Sequence, residues 1–170
     1  MSDSLLERNA LIYAERNEIS LEGRLGAGMD GTVWESNRQT AVKAIHRQQN
    51  YNSELECYQR FTEHNVRKIN GFAVPRFVGH DDELSVIEIE IVSPPYIIDF
   101  AKCRFETPFD FSPEVMADWN EAGIEIFEDR WRQVKSLLRA LEQYGIYYLD
   151  AKPGNITFAP ESTIKGASPP

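Results

Sequence analysis

Residues 20–45 read "SLEGRLGAGMDGTVWESNRQTAVKAI", in which Gly26, Gly28 and Gly31 join two strand-like stretches and a third follows. This segment constrains the fold most. Glycines spaced G-x-G-x-x-G that open a helix belong to a dinucleotide-binding crossover, but here they lead into "TVWES", which suits a strand. A strand, glycine loop and strand form a lid that can lay backbone N–H groups over phosphate oxygens. Because glycines also serve ordinary hairpins, the motif by itself leaves a purely structural turn open.

Two further strands are expected in "PRFVGHDDELSVIEIEIV", on either side of a polar "HDDE" turn. The chain thus promises an α+β architecture built on a five-stranded antiparallel sheet. One helix should pack on that sheet: "YNSELECYQRFTEH" carries Tyr51, Leu55, Tyr58 and Phe61 at amphipathic spacing. A short leading helix to about Asn17 follows from Ser4 and Glu7 at capping-box spacing. After the prolines of "SPPYIIDF" the pattern turns irregular until Ser112 and Pro113, a cap and a first-turn proline. The segment Asp129 to Tyr144 then places Trp131, Val134, Leu137, Leu138, Leu141 and Tyr144 on one face, and Gly145 stops it. The resulting division is a leading segment (1–18), a sheet-rich lobe (19–96) and a small helical lobe (97–170).

Three stretches carry chemistry. In "AVKAI", alternation sends the Lys43 ammonium to one face of its strand, just downstream of the glycine loop, where it can reach phosphate oxygens. Taking about 100° per residue, Glu54 falls inside the arc of Phe61, Tyr58 and Leu55, whereas Glu56 and Glu63 point the opposite way. A carboxylate inside an apolar face is costly unless paired, which argues for a Lys43–Glu54 ion pair; a boundary glutamate reaching water is the alternative. The third stretch is "YYLDAKPGNITF". Asp150 suits the orientation or deprotonation of a hydroxyl, Lys152 the neutralisation of a phosphoryl group, and Asn155 an oxygen ligand to Mg²⁺. Alone, "DAKPGN" reads equally well as a polar turn.

Taken in order, these stretches resemble the protein-kinase-like superfamily over roughly Ile19 to Phe158. G-x-G-x-x-G-x-V is matched from Gly26 to Val33, A-x-K by Ala41 to Lys43, and D-x-K-P-x-N by Asp150 to Asn155. The resemblance implies a nucleotide-binding amino-terminal lobe followed by a truncated helical lobe, with ATP and Mg²⁺ as cofactors, Glu54 as the ion-pair glutamate, and a hinge around Ile89 to Tyr96. It also implies gaps. Tyr148 and Leu149 stand where the family has histidine and arginine, so docking of a phosphorylated activation segment is not expected. Asp30, near the loop tip, would face phosphate oxygens. On the family's spacing, Ser168, Pro169 and Pro170 fall on the Asp-Phe-Gly metal motif, so the metal-binding aspartate is expected to be missing, with Glu161 or Asp30 as substitutes.

Charge and composition narrow the partners. The net charge of −9, without a basic run, disfavours nucleic acid and anionic membranes as partners. Cys57 and Cys103 make no disulfide framework or metal spacing, and no stretch reads as a signal peptide or membrane span, which points to the cytoplasm. The expected function is a kinase-like nucleotide-binding protein, a pseudokinase or interaction module with a protein partner. Two alternatives remain open: a minimal ATP-dependent protein kinase using Asp150 as base, and a small-molecule phosphotransferase.

Overall fold

A computed structural model of the chain describes residues 3–160. Helix α1 (Asp3–Arg16) leads into strands β1 (Leu21–Ala27), β2 (Gly31–Ser36) and β3 (Thr40–Ile45), then helix α2 (Gln48–Glu63). After the short pair β4 (Lys68–Ile69) and β5 (Phe72–Ala73) come β6 (Phe77–Asp81) and β7 (Val86–Glu90). The main sheet has the order β1-β2-β3-β7-β6 and is antiparallel throughout, the five strands expected from the sequence.

The alternation in β3 decides what each face of the sheet does. Val42 and Ala44 point to one side, where Leu6, Ala10, Tyr13 and Ala14 of α1 cover them. The leading helix is therefore a second helix packed on the sheet, opposite α2. Burial of Leu6 and Tyr13 to about 1% exposure is worth about 1.5–3 kcal/mol each on transfer values for large apolar side chains. Ala41, Lys43 and Ile45 point the other way, toward α2, whose inward face buries Tyr51, Glu54, Cys57, Tyr58 and Phe61. Glu54 thus lies on the apolar face, as the helical angle required.

The chain then forms β8 (Tyr96–Ile97), β9 (Arg104–Phe105), helix α3 (Pro113–Phe127), helix α4 (Trp131–Leu141), β10 (Ile146–Tyr147) and β11 (Ile156–Thr157). Ser112 caps α3 by accepting from the Val115 N–H at 3.4 Å, with Pro113 in the first turn. Helix α4 buries the Trp131, Val134, Leu137, Leu138 and Leu141 stripe. Gly145, at φ 67°, supplies the left-handed stop that lets β10 begin at once. One apolar cluster runs without interruption from Ala41 and Ile87 of the sheet through Tyr58, Phe61 and Phe100 to Leu137 and Leu141 of α4. The sheet-rich and helical halves share this core.

The smaller sheet, β11-β8-β5-β4, was not legible in the sequence, because its strands are only two residues long. It matters most for the site. Antiparallel pairing of Ile97 with Ile156, and of the Ile98 N–H with the Asn155 carbonyl at 2.9 Å, brings residues 98–100 alongside the start of "NITF".

Candidate functional site

A cleft of about 610 Å³ opens between the two halves, within the usual range of small-molecule sites. Gly26, Gly28, Gly31, Val33, Ala41, Lys43, Glu54, Lys152 and Asn155, all singled out in the sequence, line it together. Asp150 sits at its edge, 3.3 Å from the Lys152 ammonium. Ile89 and Tyr96, which bound the expected hinge, also line the cleft, as do Glu90, Ile91 and Val92.

The glycines divide by cause. A Cβ on Gly31 would stand 2.2 Å from the Ala44 carbonyl oxygen, so the close approach of β2 to β3 demands glycine there. At Gly26 and Gly28 a Cβ would meet nothing within 4 Å, and neither residue occupies the left-handed region. Nothing among the described residues requires glycine at these two positions. Both border the cleft, where an absent side chain leaves room for a ligand to approach the backbone.

In the depth of the cleft the Lys43 ammonium lies 2.7 Å from Glu54 Oε2 and 3.3 Å from Asp99 Oδ1. Burial opposes the ammonium, but the two carboxylates outweigh it and raise its pKa. Glu54, 1% exposed, is pushed up to about 7 by burial and by its neighbour Asp99, against the pull of Lys43. Asp99 moves down: burial alone would raise it, yet the charge of Lys43 and its hydrogen bond prevail. One cation serves two carboxylates, so with both ionised the group carries a net −1.

Asp99 also lines the cleft, and no sequence motif marks it. It is held by its neighbours. Phe100 packs edge-on against Tyr58 at 5.5 Å between ring centroids and lies 6.0 Å from Tyr148. Asp99 itself is at φ 65°, a left-handed conformation that Asp tolerates better than most residues and that costs energy unless its surroundings enforce it. The signal was present as "YIIDF", an apolar run ending in Asp-Phe. It stands before the "DAKPGN" loop in the chain, whereas the metal motif is expected after that loop. Ser168 to Pro170 and Glu161, the expected positions of the metal motif and of a substitute, lie outside the described residues.

Tyr148 holds two segments of the cleft together. Its hydroxyl lies 2.9 Å from the Asp150 carbonyl and 3.1 Å from that of Asp99, and accepts from Asn155 Nδ2 at 2.6 Å. Burial pushes the phenol up, so it stays a donor. A single side chain thereby ties the Asp99 segment to the Asp150–Asn155 loop. Asn155, 3% exposed, has its amide nitrogen committed to this network, and Oδ1 is the remaining polar atom of its side chain. Asp30 does not point bare into the cleft. It accepts from Asn50 Nδ2 at 2.8 Å and lies 3.7 Å from the Lys102 ammonium.

No group of three or more His, Cys, Asp or Glu side chains that could hold a metal ion occurs among the described residues. Asp99 and Asn155 supply two oxygen donors in one cleft, a set that fits a hard cation completed by phosphate oxygens and water. No helix among the described residues is long and apolar enough to cross a membrane.

No protein-family model and no curated protein matches the chain. Among solved structures, the one described as "Structure of the streptomycin-ATP-APH(2")-IIa ternary complex" is similar at 13% identity with a TM-score of 0.41, over 79% of this chain and 40% of that one. The chain spans less than half the length of that neighbour. A similarity of this size assigns no residue role, and the chemistry rests on the geometry of the cleft.

Proposed function

We propose that the chain is a kinase-like, ATP-dependent phosphotransferase that moves the γ-phosphoryl group to a hydroxyl acceptor. The observation that carries this reading is Asp99. Its carboxylate lies beside Lys43 and across the short β8–β11 ladder from Asn155, which supports Asp99 as an oxygen ligand in place of the one expected downstream. This favours turnover over a binding-only module.

In this reading the adenine lies on the apolar floor around Val33, Ala41 and Ile89, and the phosphates run beneath Gly26 and Gly28 toward Lys43. Glu54 holds the Lys43 ammonium in place, and Asp99 and Asn155 would hold Mg²⁺. The ion, when bound, would spread the charge of the phosphate oxygens. Asp150 takes the proton of the acceptor hydroxyl as its oxygen bonds to the γ-phosphorus. The bond from that phosphorus to the bridging oxygen breaks and ADP leaves, while Lys152 offsets charge on the transferring group.

Transfer from radiolabelled ATP in the presence of Mg²⁺ tests the proposal, with hydrolysis to ADP followed alongside so that no acceptor need be known. Wild type should release labelled product, and Asp150→Asn should lose at least about 10²-fold, the usual contribution of a general base. Equal rates from the two proteins would reject catalysis. A melting temperature raised by MgATP without turnover would leave the nucleotide-binding module expected from the sequence.

A further inference from the structure

The mouth of the cleft holds a cation that the motifs do not mention. Lys102, three residues beyond Asp99, places its ammonium 3.3 Å from Asp150 Oδ2 and 3.7 Å from Asp30 Oδ2. Asp150 belongs to the "DAKPGN" loop and Asp30 to the glycine-rich turn, so one ammonium bridges the two walls between which a terminal phosphate would enter. Asp30 is positioned for this contact. Its other carboxylate oxygen is fixed by Asn50 of α2, and its backbone carbonyl accepts from the His46 N–H at 3.0 Å. The Lys102 side chain is 41% exposed and the carboxylates of Asp30 and Asp150 are 14% and 29% exposed. The most exposed partner of the bridge is therefore the lysine.

We propose that Lys102 is a phosphate-positioning residue specific for the terminal phosphate of a nucleoside triphosphate, parked between Asp30 and Asp150 until that phosphate replaces Asp30. The inference rests on the nucleotide reading given above. A phosphate oxygen between the two loops offers the ammonium a full negative charge in place of a carboxylate at 3.7 Å, a spacing beyond a direct hydrogen bond. Releasing Asp30 also moves a carboxylate away from the incoming anion, which otherwise repels it. Because Lys102 keeps Asp150 within reach, the exchange would bring the attacked phosphate and the base to one cation. A nucleoside diphosphate ends short of this position and leaves the bridge closed.

Calorimetric titration with MgATP and MgADP distinguishes this role from a structural one. Lys102→Met should weaken MgATP binding on the order of 10-fold, the size of one charge-assisted contact, while MgADP binding changes less than about 2-fold. Lys102→Arg should recover most of the loss, and Asp30→Asn should tighten MgATP binding by freeing the lysine. Urea unfolding of each variant confirms a folded protein. Equal loss for ATP and ADP, or no loss for ATP, overturns the role of Lys102 and leaves nucleotide binding standing. Failure of wild type to bind either nucleotide overturns both.

Discussion

Asp99→Asn removes one charge from the buried group of Lys43, Glu54 and Asp99 and keeps the shape of the side chain. With an effective dielectric of about 20, the attraction between Lys43 and Asp99 at 3.3 Å is roughly 5 kcal/mol, and repulsion from Glu54, at most about 6 Å away, is roughly 3 kcal/mol. The difference of about 2 kcal/mol is largely offset by withdrawing a carboxylate only 24% exposed from water, and the small surplus left over agrees in sign with its lowered pKa. Ionised Asp99 therefore contributes only modestly to stability, and the substitution should lower the unfolding free energy by about 1 kcal/mol. Function should respond differently. Loss of one of two protein oxygen donors should reduce Mg²⁺-dependent ATP binding or turnover by about 10²-fold, the scale of a removed electrostatic contact in a catalytic site. Urea denaturation measures the first effect, and ATP titrations with and without Mg²⁺ the second. Unaltered Mg²⁺ dependence, or destabilisation above about 3 kcal/mol, would show that Asp99 is a structural anion and refute its place in the site.

The two kinds of glycine should separate in the same assays. Gly31→Ala drives a Cβ into the Ala44 carbonyl and should cost about 1–3 kcal/mol of stability; Gly26→Ala and Gly28→Ala meet no atom and should leave stability within about 0.5 kcal/mol while weakening ATP. If ATP affinity is unchanged in the latter two, the space beside them is not a phosphate site. Glu54 gives a pH signature. Its carboxyl is raised from 4.5 to about 7 in the fold, so between those values the native state keeps a proton that the unfolded chain has lost. Stability from this residue is full below pH 4.5 and falls as pH rises to 7, by on the order of 3 kcal/mol. The shifts of Lys43 upward and Asp99 downward act outside this window. Denaturation curves of wild type and Glu54→Gln should therefore diverge across pH 4.5–7, and parallel curves would contradict the burial argument.

Much of the architecture was legible because it follows local periods. Alternation in "TAVKAI" sent Lys43 to the face opposite Val42 and Ala44, and the helical angle of Glu54 aimed it at that same face, so their pairing needed only the assumption that α2 covers the sheet. The amphipathic stripe of α4, the Ser112 cap and the Gly145 stop are equally local. The leading helix was legible as a helix but not in its place: Leu6 and Tyr13 bury a second face of the sheet that no short-range pattern announces.

The sequence by itself determined which residues can carry charge, accept a metal or leave the backbone bare, and on which face of its own strand or helix each one lies, since these depend on chemistry and on periods of a few residues. Only the tertiary structure decided which of them meet. Asp99 is 56 residues from Lys43 and 56 from Asn155 along the chain, and two residues of pairing between β8 and β11, with Phe100 anchored in the aromatic core, bring it to both. Contacts so short in extent and so distant in sequence have no period to read, and they alone bring the Asp99 carboxylate into the cleft beside Lys43.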